Sequence, residues 1–385
     1  MSLNAQSIDS FAALRGLAQP WSELLSRSSN DEPTASPEWL LTWWELYGDE
    51  GGRRLKSCAV RDGQRLVGLL PLLSRVFWYR PGIPFRRLEL LGSGEDESHE
   101  ILSEYIGLVA ERGAEAQVAD CAAEALASGA LGPFDEIVLA RMNGESPATS
   151  ALLNALAIRG LTPIPMDESP AYYVRLPSTW DEYLASLSSS RRYRVKRAIR
   201  DFEAWSGGDH RMVRADTAAD VARGLRILAD LHEERWRASG HAGVFESDRF
   251  LQFHERIMPI LLQRESLDLR ILEVRGEPIA AVYNIIWDGR VHFYQSGRKM
   301  DVPKKVRPGV MLHSLAIQAA IEAGHREYDF LAGSARYKEE LSTDTRPLST
   351  IRATRPALLR EHARRLVGRG ARKAREVRAA LFERG

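Results

Sequence analysis

Apolar and polar positions along this chain follow two periods, one of two residues and one of about 3.6, and the order in which strand-like and helix-like stretches appear is used twice. Residues 19–47 carry two helical stretches. In the second, SPEWLLTWWELYG, Ser36 is placed to cap the first turn, Pro37 suits the first helical position and Gly48 marks the stop. The runs LKSCAV and RLVGLLPLL, joined through Asp62-Gly63, predict a hairpin. Beyond it come strand-like RRLELL and YIGLV, a helix over 114–127, strand EIVLA, a helix over 147–159 and a strand YYVRL from Tyr172.

After Pro177-Ser178 the order begins again. A basic helix over 188–205 leads to strand RMVRA, a long helix over 218–237 and another over 248–263. Three successive strands follow, LDLRILEV, PIAAVYNIIW and VHFYQSG, then a helix over 309–323, strand REYDFL and a last strand near Ser349. GQRLVGLLPLL from Gly63 aligns without gaps on GEPIAAVYNII from Gly276, and the strand starts Phe134-Asp135 and Tyr328-Asp329 match in kind. An internal duplication accounts for both matches; chance recurrence of hairpins in mixed α/β chains is the alternative. The expected organisation is a domain over 1–176, a second over 177–352 and a basic amphipathic helix over 353–385.

Composition alters this picture in one respect. The 385 residues carry a formal net charge of +1, but eleven of the basic residues and only three acidic ones lie between Arg352 and Gly385, leaving 42 basic and 49 acidic residues in the rest. A basic tail therefore sits on an acidic body, with Leu358, Leu359, Leu366, Val367, Val377 and Leu381 giving it an apolar side that can dock on the domains or lie on an anionic membrane surface. The longest strongly apolar run, Leu66 to Leu73, is too short to span a bilayer, and the N-terminus lacks a secretory pattern, so a cytoplasmic protein, peripheral to the inner membrane face at most, is expected. The two cysteines, Cys58 and Cys121, read as free buried thiols.

The element order resembles the GNAT acyltransferase fold: an α/β (α+β) mixed-sheet chain of two tandem GNAT-like domains. The segment PGVMLHSLAIQAAIEAGHREYDFLAGSARYKEEL resembles the branch that includes CelD-like cellulose-biosynthesis proteins. SPEWLLTWW, SSSRRYRVKRAIRDF, LHEERW followed by GVF, and PIAAVYN extend the match over most of the chain. The tandem arrangement, the basic helix and the late aromatic-Lys pair also look like Fem-type aminoacyl transferases. Two departures stand out. Ala332 and Ser334 flank Gly333 where the family pattern usually has Arg and Asp, and no aromatic follows Tyr337-Lys338.

The resemblance implies an acyl-CoA donor, acetyl-CoA or another, an amine acceptor and no metal. A glycine opening a helix exposes amides and the positive end of the helix dipole to a diphosphate. KKVRPGVML offers that arrangement at Gly309 and Val310, with Arg298, Lys299, Lys304, Lys305 and Arg307 as nearby cations; solvated charges around an ordinary Pro-Gly helix entry are the plain alternative. An alkylamine is neutral at pH 7 in only about one molecule in two thousand, so a base is expected. His232, Glu233, Glu234 and Asp329 are candidates, Asp329 being favoured for its place at a strand end. By resemblance Tyr337 is the acid for the departing thiolate and Lys338 an oxyanion stabiliser. Arg191, Arg194, His232, Trp236 and Tyr294 are the expected acceptor contacts. The basic helix over 188–205 meets something anionic, either a ligand or acidic residues of the protein itself.

Metal-ligand spacing among the nine histidines, a GxSxG elbow and a Walker loop are all missing from the sequence. Three readings remain open at this level: N-acylation from acyl-CoA, with a sugar or polysaccharide precursor as the acceptor implied by the family; Fem-like transfer from aminoacyl-tRNA, the one nucleic-acid partner in view; and a non-catalytic accessory protein of polysaccharide synthesis.

Overall fold

The computed structural model describes residues 3–80, 82–333 and 335–354. Its first half runs β1 (Leu3–Ile8), α1 (Phe11–Gly16), α2 (Ala18–Ser26), α3 (Pro37–Tyr47), β2 (Arg54–Leu55), β3 (Ser57–Asp62), β4 (Arg65–Leu70), β5 (Leu72–Arg80), β6 (Ile83–Leu90), β7 (Val109–Ala110), α4 (Glu115–Ser128), β8 (Glu136–Asn143), α5 (Pro147–Ile158) and β9 (Thr162–Arg175). The second runs α6 (Trp180–Ser186), α7 (Ser189–Ser206), β10 (His210–Arg214), α8 (Ala218–Arg237), α9 (Asp248–Gln263), β11 (Leu267–Val274), β12 (Glu277–Trp287), β13 (Arg290–Arg298), α10 (Pro308–Glu322), β14 (Glu327–Ala332), α11 (Arg336–Leu341) and β15 (Asp344–Thr354). Ala353 and Thr354, expected to open the basic helix, are the end of β15; the remainder of that segment lies outside the described residues. No described helix is long and apolar enough to cross a membrane.

Local chemistry explains most boundaries. The Ser36 hydroxyl accepts the Trp39 amide at 3.2 Å, and Pro37 occupies the first turn of α3. Thr217 and Asp220 form a reciprocal capping box that starts α8. Two readings need correction. Pro71 has no amide to give a ladder, so RLVGLLPLL is two strands, not one: β4 pairs with β3 and β7, and β5 leaves for a different sheet, pairing with β2 and β6. YIGLV is mostly irregular, because Tyr105 sits at φ +66° and only Val109 enters a strand.

Four strands form a small sheet in the order β1-β3-β4-β7. The other eleven form one continuous sheet, β10-β11-β12-β13-β14-β9-β15-β8-β6-β5-β2. Its centre is an exchange. β9, which ends the first half, pairs with β14 of the second, while β15, which ends the chain, pairs with β8 of the first. The two exchanged strands pair with each other from Asp344↔Tyr173 to Thr354↔Thr162.

Each half contains one short parallel pair, β6 with β8 (Arg87↔Glu136 to Glu89↔Val138) and β13 with β14 (Arg290↔Glu327 to His292↔Asp329). This repeats the duplication in three dimensions. It also moves the correspondence at the strand starts: Glu136 answers to Glu327, and Val138 to Asp329. Asp135 instead precedes its strand, where it accepts the Arg86 amide at 2.8 Å and its guanidinium at 2.9 Å.

Helix α8 lays Val221, Leu225, Leu228, Leu231 and His232 on the sheet. Gly297 is required there, since a Cβ would fall 2.5 Å from the His232 amide nitrogen. Between the halves, Trp39 on α3 meets Phe253 on α9 edge to face at 4.8 Å.

Candidate functional site

Strands β13 and β14 stay together for only three residues and then part. Beyond His292, β13 continues to Arg298 against β12 alone, while β14 turns away through Leu331 at φ +57° and Gly333 at φ +119°. A cleft of about 540 Å³ opens beside the separated β13, walled by Ser296 and Arg298, the first turn of α10, Arg235 of α8 and Tyr337 of α11.

The entrance of α10 faces this cleft. Pro308 occupies the first helical position, no side chain caps the end, and no acidic residue lies in the first turn. The positive end of the helix thus stays open to the cleft. Gly309 keeps the approach low, because a Cβ there would already touch Arg298 Cδ at 3.4 Å. Arg235, Arg298, Lys304, Arg307 and Arg336 line the cleft, and no carboxylate does so among the described residues. Arg307 is committed to Glu340 through bonds of 3.1 and 2.6 Å. Burial, then the nearby Arg235 and Arg307 guanidiniums, push Arg298 below its ordinary value.

Tyr337 forms the inner wall. Its ring stacks on His313 at 4.9 Å with 11° between planes, and its hydroxyl bonds the Ser296 side chain. Burial raises the phenol to about 12, so it stays protonated; burial likewise holds His313 neutral, at about 3. Helix α11 is seated by α7. Arg191 donates to the carbonyls of Glu339, Glu340 and Ser342, and Arg194 joins Arg307 on the Glu340 carboxylate. Lys338 turns inward, donating to the carbonyls of Phe330, at 2.7 Å, and Ala332. Burial lowers it to about 8, against the opposing pull of Glu104 and Asp329. Gly333 is the residue that permits this, since a Cβ there would lie 3.1 Å from Lys338 Nζ.

Of the residues singled out from sequence, Arg298, Lys304, Arg307, Gly309, Val310 and Tyr337 come together on one cleft. The others go elsewhere. Lys299 pairs with Glu277 at 3.1 Å, and Lys305 lines a neighbouring basic groove with Tyr193, Arg197 and Lys304. Arg191 and Arg194 serve α11, as described. Asp329, on β14, is fully buried, accepting the Tyr105 hydroxyl at 2.9 Å and the Leu331 amide at 2.7 Å, with Arg346 at 3.8 Å. His232 is enclosed, its Nε2 accepting the Trp236 indole at 2.9 Å. The Tyr294 hydroxyl donates to the Ile101 carbonyl of the first half. Glu233 holds the Gly243 and Phe245 amides, and Glu234 the Met300 amide. None of these lines the cleft.

Sequence reading missed Arg235, Ser296 and His313. For Arg235 a signal existed: the buried stripe Gly224, Leu228, Leu231 continues by helical spacing to position 235, where a core-facing site holds a cation.

Residues 189–339 match a family model described as an acetyltransferase (GNAT) domain. Among solved structures, FemX is similar over 91% of this chain and 98% of its own, with a TM-score of 0.62 at 11% identity. The C-terminal domain of a putative lysylphosphatidylglycerol synthetase from Agrobacterium fabrum covers 90% and 93%, at 0.49 and 12%. A tandem GNAT protein from the clavulanic acid biosynthesis pathway covers 92% and 98%, at 0.45 and 14%. No curated protein matches in sequence. At such identity the FemX likeness speaks for the fold.

Proposed function

We propose that the protein transfers an acyl group from acyl-CoA to an amine, from the premise that residues 189–339 match an acetyltransferase (GNAT) domain and that the chain is similar in fold to FemX. The observation that carries the reading is the cleft beside β13: an uncapped helix entrance and a surplus of cations at one part, and a protonated phenol at another.

The donor's diphosphate meets the first turn of α10, Lys304 and Arg298, where fixed dipoles and guanidinium donors replace its water. Its arm runs along β13, whose outer edge past His292 has no strand partner and can bond an extended amide chain. This brings the thioester to Tyr337. The amine nitrogen attacks the thioester carbon, the carbon–sulfur bond breaks, and the proton released by the nitrogen ends on the thiolate or in solvent. A phenol at about 12 is too weak an acid to protonate a thiolate outright. Tyr337 acts as a fixed hydrogen-bond donor that stabilises charge developing on oxygen or sulfur.

No carboxylate in the cleft serves as base, and none is demanded by its electrostatics: neighbouring guanidiniums disfavour an ammonium and so favour the neutral, attacking amine. An acetyl group and an amino sugar or polysaccharide precursor are the donor load and acceptor that the family resemblance implies. Calorimetry with CoA and acetyl-CoA tests the reading. Micromolar to sub-millimolar binding, weakened at least tenfold by Gly309→Glu, is expected; absence of heat and of thermal stabilisation at millimolar ligand, with binding of charged tRNA instead, would overturn it.

A further inference from the structure

Arg235 is a cation of the cleft to which the donor's diphosphate gives no role. It lies on α8, three residues beyond the enclosed His232 and on the side that packs against β13, partly buried and over the face of Trp236 at 5.9 Å. Among the described residues neither Arg235 nor Arg298 has a carboxylate within ion-pair distance, although most of the guanidiniums around them do. Arg307 and Arg194 share Glu340, and Arg237 meets Glu246 at 3.5 Å.

A CoA donor carries its charge on the diphosphate and the 3′-phosphate, at the nucleotide end of the molecule, and Lys304, Arg298 and the dipole of α10 meet the diphosphate. Arg235 stands in the same cleft, within electrostatic reach of Tyr337. Its influence falls on the reacting end: among neighbouring charges it acts most strongly on Tyr337, and it acts on His313 and Lys338 as well. Holding an uncompensated guanidinium partly out of water beside a second one opposes folding, and a substrate anion removes that penalty at the moment of binding.

Resting on the acyl-CoA reading above, we propose that Arg235 recognises an anionic group carried within a few bonds of the reacting centre: a carboxylate or phosphate on the acceptor, or the distal carboxylate of a dicarboxylic acyl group. The substrate pair is thus more acidic than acetyl-CoA and a plain amino sugar.

The test begins with CoA binding to the full chain, since its failure strikes the donor reading, and this inference with it. With CoA saturating, malonate and inorganic phosphate are titrated into wild type, Arg235→Gln and Arg235→Lys. One of the two anions should bind wild type in the millimolar range, about tenfold more weakly to Arg235→Gln, and with partial recovery in Arg235→Lys. CoA affinity and melting temperature should stay near wild type in both variants. Succinyl-CoA and butyryl-CoA, equal in chain length, then locate the anion. About tenfold tighter binding of succinyl-CoA, abolished by Arg235→Gln, assigns it to the acyl group; equal binding, with the small anion still taken up, assigns it to the acceptor. CoA-loaded wild type that takes up neither anion and ignores the succinyl carboxylate overturns the proposal, as does discrimination that survives in Arg235→Gln.

Discussion

The ring of His313 lies flat on that of Tyr337, 4.9 Å away, and fixes the phenol at the inner end of the cleft. α10 supplies the histidine and α11 the tyrosine, so on the proposed reading the helix that would receive phosphates also orients the residue that would meet the thioester. Tyr337→Phe keeps the ring and the stack but removes the donor. We expect turnover about 10²-fold lower with CoA affinity within twofold of wild type; steady-state kinetics beside calorimetry separate the two, and unchanged turnover would remove Tyr337 from the chemistry.

Glu340 couples the basic helix to the same tyrosine. Its side chain is 2% exposed and holds Arg194 and Arg307 together. In Glu340→Gln the two guanidiniums lose their shared counter-ion and α11 loosens. A stability loss of about 2–4 kcal/mol by denaturant titration is expected, with a fall in turnover larger than any change in KM. A loss of stability with turnover intact would show that α11 is seated by Arg191 alone.

Asp329→Asn distinguishes a seam residue from a base. The carboxylate sits among Tyr105, the Leu331 amide and Arg346, out of contact with the cleft. The neutral side chain should cost about 3 kcal/mol of stability and leave CoA affinity and the shape of the pH–rate profile alone. Loss of the acidic limb of that profile in a variant of normal stability would make Asp329 the base after all.

The buried histidines make the fold sensitive to acid. Burial holds His232, His254 and His313 at about 3 and His292 well below its ordinary value, so the unfolded chain takes up protons at these sites below about pH 6.5 while the folded one does not. Their stabilisation is complete above that pH and is lost as pH falls towards 3. Glu32 and Glu95, each raised to about 7 by burial, act in the opposite sense, stabilising below about 4.5 and losing that contribution as pH rises through 7. Asp31, Glu104 and Glu327, also raised by burial, add to the carboxylate side, and His325, also lowered by burial, adds to the histidine side, so the two sets oppose each other between about pH 4.5 and 6.5. His254→Phe removes one contributor from the histidine side, and its denaturation midpoint should therefore fall less, relative to wild type, as pH is lowered from about 6.5 to about 4.5.

What could be read from the chain was what neighbouring residues decide among themselves. Ser36, Pro37 and Gly48 bound α3 by local capping, Asp62-Gly63 turns a hairpin, and Pro308-Gly309 with Tyr337 marked the cleft because these lining residues fall within one stretch of the chain. The rest depends on partners remote in sequence. Asp329 is enclosed by Tyr105, 224 residues away, and Tyr294 by the Ile101 carbonyl; nothing beside either residue signals this. Arg191 and Arg194 read as ligand contacts because their true acceptors, around Glu340, lie some 150 residues on. The Gly63 and Gly276 hairpins were comparable by eye, whereas equating Asp135 with Asp329 required a strand register that only the sheet reveals.

β9 and β15 also bear on how such a molecule can be divided. Cleavage of the connection after residue 176 would yield two fragments that each carry, as their last strand, an edge belonging to the other. Neither would be a finished module; mixed together, they hold mutual complements and should reassemble.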